Sequence, residues 1–250
     1  MAESRVSRSI WGWIARTTVG GVAVLLAAVA YVWLTLPDVR ALRTATPSTT
    51  AFMNLRKSEA LAAGQRASVS QRFIRYNRIS PALVRAVLVA EDAAFFQHDG
   101  IDYDELKESF EVNLERRQLV RGASTITQQL AKNLYLSPSR NPARKLRELL
   151  ITRRLEAELS KTRILELYLN LIEWGNGIWG AEAASLQYFG ISAGQLSSEQ
   201  AALLAAAIPN PRVYSPARPS ALLLRRQKMI LDRMERKTSP IEKDTARSGG

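Results

Sequence analysis

The chain has 250 residues, 46% of them apolar, which allows one good-sized domain plus an appendage and excludes a disordered protein. Its 35 Lys and Arg against 23 Asp and Glu leave a net charge of +12, which attracts polyanions: nucleic acid, anionic lipid head groups or phosphorylated substrates. The lack of cysteine excludes thiol nucleophiles, disulfides and Cys-based zinc sites, and a single histidine excludes a multi-His metal centre.

In chain order, Arg5, Arg8 and Arg16 precede an uncharged stretch, Thr17 to Pro37, of 21 residues. That is close to the roughly 20 residues a helix needs to cross a bilayer. Trp11, Trp13, Tyr31 and Trp33 sit toward its ends as interfacial anchors would, and the preceding basic flank places the N-terminus in the cytoplasm. The expectation is a transmembrane helix over 17–37 after a cytoplasmic segment, 1–16. A cleaved signal peptide, with Ala28-Val29-Ala30 as its cleavage site, and a buried core helix are the alternatives. Residues 38–70 are mixed and Ser/Thr-rich, and read as a linker to a globular domain over 71–236. Residues 237–250 read as a polar tail.

Ser80 reads as an N-cap and Pro81 as the first residue of a helix that runs through an apolar stretch to Ala90. Glu91 then falls at the helix C-terminus, where the carbonyl dipoles disfavour a second negative charge, and an apolar surround pushes the same way. Both effects raise a carboxyl pKa, which makes Glu91 the leading general acid or base. By itself the Glu91-Asp92 pair, with His98 nearby, reads first as a solvated helix end and a loop cap, and the rest of the chain is what overturns that reading. Tyr103 to Leu119 carries Leu106, Phe110 and Leu114 at a spacing of four among charged residues, an amphipathic helix expected to pack on the core, with the membrane surface as the alternative.

Thr125 and Gln128 fit a capping box, so a helix should start there with free N–H groups at its mouth, a ready anion site with Lys132 on the same helix. Ser124, Thr125, Thr127, Gln128, Gln129 and Asn133 supply neutral hydrogen-bonding groups suited to sugar hydroxyls and amides. Asn141 and Pro142 start the next helix, on which Arg144 and Lys145 lie four and three residues before Glu148 and so share its face. Basic residues recur at 140, 144, 145, 147, 153 and 154, which suits a phosphate. Ser160 caps a helix with Ile164, Tyr168 and Leu171 as a buried stripe, Gly190 ends another, and the helix begun at Leu196-Ser197-Ser198-Glu199 stops at Ile208-Pro209. Helical patterns dominate, so the fold expected is mainly α.

Taken together, Glu91 to Gly100, Gly122 to Asn133, Arg144 to Glu148 and Ile164 to Asn170 resemble, in order, the signature blocks of the peptidoglycan glycosyltransferases, over about Ser70 to Pro216. Neither Ser-x-x-Lys nor Lys-Thr-Gly occurs, so the monofunctional branch of that family, without a transpeptidase domain, is expected. The resemblance implies a lysozyme-like domain that polymerises lipid II onto a growing lipid-linked glycan strand, at the periplasmic side of the inner membrane, as a single-pass protein. It implies Glu91 as the base for the GlcNAc 4-hydroxyl, and Glu148 as the group that assists pyrophosphate departure, directly or through a divalent cation (Mg or Mn). Lys132, Arg140, Arg144 and Lys145 would neutralise the diphosphate. Asp92 and His98 would support the base and shape the cleft, and Ser124, Thr125, Gln128 and Gln129 would contact substrate. No resident metal site and no nucleic-acid partner are implied; other cell-wall synthesis or division proteins are the candidate partners. An inverting displacement sets the Glu91 and Glu148 carboxyls about 6 to 10 Å apart across one cleft. The rival readings are a peptidoglycan-cleaving enzyme on the same fold and a non-catalytic basic membrane protein.

Overall fold

The core is an alanine-rich helix clamped between two others. The computed structural model describes residues 16–23, 26, 27, 29–31, 33–66, 69–116, 123–137 and 141–236, and divides into two units, Met1–Asp38 and Val39–Gly250. In the first unit the described residues from 16 to 34 are helical. No helix among the described residues is long and apolar enough to cross a membrane. The expected span includes residues 24, 25, 28 and 32, which lie outside the described residues, as do Arg5, Arg8 and the tail 237–250.

The second unit is mainly helical. After a 3₁₀ turn at Arg40–Arg43, α1 spans Ala51–Ala62, α2 Pro81–Glu91, α3 Tyr103–Arg116, α4 Ile126–Tyr135 and α5 Pro142–Glu158. They are followed by α6 Lys161–Leu171, α7 Ala181–Phe189, α8 Ser198–Ala207 and α9 Ala221–Arg236. The stretch expected as linker thus holds a helix: the Thr50 hydroxyl accepts from Met53 N–H to cap α1, and Met53 is buried. α8 packs against α2 and α9, and its Ala201, Ala202, Ala205 and Ala206 are buried, side chains small enough to let helix axes approach. α4 packs against α5, α6 and α1. Each fully buried Leu or Ile of this core, Leu83, Ile126 or Leu130 among them, contributes about 1.5–3 kcal/mol.

The described residues of the unit also form three short strands: β1 at Ser70–Gln71, β2 at Glu173–Gly175 and β3 at Ile178–Trp179, in the order β1-β3-β2. β1 runs parallel to β3 and β2 antiparallel to it. Caps fall where the sequence places them: Ser80 on α2, Thr125 on α4, Asn141 on α5 and Ser160 on α6, each accepting a first-turn N–H. Gly190, left-handed at φ 71°, ends α7.

One expectation is overturned. Leu106, Phe110 and Leu114 of α3 are exposed (49, 67 and 68%), whereas Ser109 is buried. The helix turns Ser109 inward, and its apolar residues meet no core element among the described residues.

Candidate active site

α2 ends at Glu91, with Asp92 as its C-cap donating its N–H to the Leu88 carbonyl. Burial raises the Glu91 carboxyl above its ordinary range, and the neighbouring Asp92 charge adds to that. The Gln129 hydrogen bond and the charges of Arg226 and Lys132 pull back only in part. A carboxyl so placed exchanges protons nearer neutrality than a surface glutamate.

Gln129 of α4 donates from Nε2 to Glu91 Oε2 at 2.8 Å, while its Oε1 accepts from the Tyr168 hydroxyl at 2.9 Å. Burial and the Glu91 and Asp92 charges push the Tyr168 phenol well above its ordinary range, so it stays protonated and remains a donor. One turn beyond Gln129 on the same helix, Lys132 is held below its usual range by desolvation. The charge of Glu148 is the largest influence in the other direction, Arg144 and Lys145 press it down, and Glu91 raises it. Lys132 therefore feels the charges of Glu91, 41 residues before it in sequence, and of Glu148, Arg144 and Lys145 on α5. Glu148 is buried and accepts from Arg144 Nη1 at 2.8 Å and from Lys145 Nζ at 2.5 Å, the i,i+4 and i,i+3 pairs its helix spacing predicts. Arg140 lies outside the described residues.

The other predicted positions build the site from behind. Asp92 is buried; its Oδ2 accepts from Ile126 N–H at 3.0 Å, and its Oδ1 lies 2.9 Å from His98 Nε2. Gly100 N–H donates to His98 Nδ1, which assigns the proton to Nε2 and makes His98 the donor to Asp92. Thr125 and Gln128 form the capping box, and the Thr125 hydroxyl donates to the Gly100 carbonyl. The expected anion site at the mouth of α4 is thus filled by the protein's own Asp92 carboxylate. Buried Phe95 fixes the intervening loop, with the Lys161 ammonium 4.5 Å from its ring centre.

Glu91 and Ser124 line two clefts at once. One, of about 670 Å³, also takes Asp102, Glu105, Arg233 and Arg236. The other, of about 360 Å³, holds Gln129, Lys132, Asn133, Arg56 and Glu173. A base at the junction can take a proton from a group in one arm as that group attacks a centre in the other.

Several of these residues escaped the sequence reading. Tyr168 was legible only as core, although a hydroxyl on a buried stripe needs a partner. Arg226 and Arg233, seven apart on α9 and so on one face, were the available signal for that helix. Glu173 is buried in the second arm; its Oε2 accepts from Arg56 at 3.0 Å, and its Oε1 has no partner among the described residues. Asp92, His98 and Asp102 have ligand-type atoms all within 4.8 Å of one another. With both Asp92 oxygens engaged by protein donors, that group suits a hydrogen-bonded brace rather than a cation site.

The family model described as Transglycosylase matches residues 57–235. A protein of Nitrosospira multiformis named biosynthetic peptidoglycan transglycosylase is 49% identical over 194 residues, 78% of this chain and 84% of its own. One of the same name from Laribacter hongkongensis is 48% identical over 188 residues, 75% of this chain and 82% of its own. Another, from Thiobacillus denitrificans, is 45% identical over 223 residues, 89% of this chain and 95% of its own.

Proposed function

The chain belongs to the transglycosylase family and is a peptidoglycan glycosyltransferase, and from that footing we propose that it polymerises lipid II by one inverting displacement with Glu91 as the base. The observation that carries this reading is Glu91 itself: a carboxyl raised by burial at the junction of two clefts, one of which has a cationic wall. The acceptor GlcNAc 4-hydroxyl gives its proton to Glu91 Oε as its oxygen bonds to C1 of the donor MurNAc. The bond from C1 to the diphosphate oxygen breaks on the opposite face, and the anomeric carbon inverts to a β-1,4 link.

Charge then develops on the departing diphosphate. We assign Lys132, Arg144 and Lys145 to receive it, a reading supported by Lys132 lining the second cleft and feeling the charges of the other two, with Arg140 assigned the same task from its sequence position. Glu148 pairs with both Arg144 and Lys145 on α5. A divalent cation at Glu148 would have to displace both, so the donor set does not fit one and no step runs through it. Asp92, His98, Thr125 and Gln128 act by positioning Glu91 and α4, and Ser124 and Gln129 by facing substrate.

We read the domain as lysozyme-like, on the strength of a glutamate at a helix end, a cleft beside it and a small sheet at the flank. An N-terminal membrane tether is supported by the uncharged 21-residue stretch with its basic flank, and places the domain on the periplasmic face of the inner membrane. The exposed Leu106, Phe110 and Leu114 of α3 favour that helix lying on the bilayer that carries both lipid-linked substrates.

Incubating the detergent-solubilised protein with labelled lipid II tests the proposal. Glycan polymer from the wild type and none from Glu91→Gln is the expected result. Shortening of finished sacculi without polymer would replace synthesis by cleavage.

A further inference from the structure

Beyond the second arm, a smaller pocket of about 240 Å³ opens between α1 and the β2–β3 turn. Arg56 and Arg212 line both spaces, so the pocket continues the arm that holds Glu91 and Lys132. Its other charged residues are Lys57, Arg66 and Glu59, which makes four cations against one carboxylate. That carboxylate is already shared, since Glu59 Oε2 accepts from Arg56 at 2.8 Å and from Arg212 at 3.4 Å. Lys57 and Arg66 have no ion pair among the described residues.

We propose that this pocket is a subsite for the carboxylates of the peptide borne by the glycan strand. The inference rests on the reading of the adjoining cleft as the site of lipid II polymerisation. A strand built from neutral acetylated sugars is negative at two places, its lipid diphosphate and the carboxylates of its peptides. Lys132, Arg144 and Lys145 take the donor's diphosphate, and Arg233 and Arg236 stand in the other arm, which receives the acceptor with its own, so an anion beyond Arg56 and Arg212 belongs to the peptides. The pocket is half open and its free cations are exposed, which suits a side group that must be released each time the strand advances.

The test compares wild type with a Lys57→Gln/Arg66→Gln double variant on two substrates: lipid II with free peptide carboxylates, and lipid II with them amidated. The double variant should raise KM for the first roughly three- to tenfold, with kcat within about twofold, as expected for two exposed charge pairs. On the amidated substrate the two proteins should share one KM. Equal KM values on the natural substrate, or the same deficit on both substrates, would overturn the subsite. The wild type alone gives a second measurement: its KM must be higher for amidated than for natural lipid II, and equality counts against the proposal whether or not the variant folds. If the wild type polymerises neither substrate, the reading of the cleft fails first and takes the subsite with it.

Discussion

Gln129 Nε2 lies 2.8 Å from Glu91 Oε2, and its orientation is fixed from the other side by the Tyr168 hydroxyl. A phenol held protonated donates to Oε1, and the Ser124 carbonyl, 3.4 Å from Nε2, also selects the amide N–H₂ for the Glu91 side. The candidate base therefore receives one oriented neutral hydrogen bond, which steadies it without neutralising it.

Glu91→Gln should fold normally, because glutamine can still accept from Gln129, and should polymerise lipid II about 10²- to 10⁴-fold more slowly. Initial rates on labelled lipid II, with circular dichroism as the check on folding, decide this. A rate within threefold of wild type removes Glu91 from the mechanism.

The same variant carries a stability prediction whose sign follows from burial. Folding raises the Glu91 pKa, so the native state binds its proton more tightly than the unfolded chain does. That stabilisation is complete below the unfolded pKa, near 4.5, and is lost as pH rises through the folded value. Glu91→Gln should therefore match wild type at acid pH and melt at a higher temperature at pH 7 to 8. Thermal melts across pH test it, and a variant less stable at pH 8 than at pH 4, relative to wild type, contradicts it.

Tyr168→Phe removes the hydroxyl that orients Gln129 and leaves a part-buried carbonyl without its donor, at a cost of about 1 kcal/mol. Expected results are a lower denaturation midpoint, a several-fold fall in kcat and an unchanged KM. A KM effect with kcat intact would place Tyr168 in substrate binding instead.

Gly100 has φ 83°, and an added Cβ would meet the Thr152 methyl at 2.6 Å and Glu156 Cγ at 2.9 Å. Gly100→Ala should cost about 2–4 kcal/mol through backbone strain and overpacking together. Urea unfolding measures it; a loss below 0.5 kcal/mol, about the size of an ordinary surface change, would mean that the loop relaxes freely.

Phe110→Asp and Leu114→Asp alter exposed positions on α3, away from both clefts. Polymerisation should be unchanged in detergent and fall several-fold when lipid II sits in anionic vesicles. Equal rates in both settings would detach α3 from the bilayer.

Local physics explains which features the sequence disclosed. Caps at Ser80, Thr125, Asn141 and Ser160, the Glu91 helix end and the Arg144, Lys145 and Glu148 cluster all depend on neighbours within four residues, and all stand where spacing puts them. The link from Tyr168 through Gln129 to Glu91 joins three helices, and the Arg226 contribution comes from a fourth. No period in the chain encodes those meetings. α3 misled for the complementary reason: its apolar spacing predicts a face to be covered, and among the described residues nothing covers it.

Asp92 terminates α2 with its backbone N–H and receives the first N–H of α4 on its side chain, so a single residue is the joint between the helix that ends in Glu91 and the helix that carries Lys132. In the proposed mechanism, proton uptake and leaving-group charge are thereby tuned in common. A shift at that joint detunes both halves of the displacement together, and a lesion there would present as a loss of rate that no change of substrate repairs.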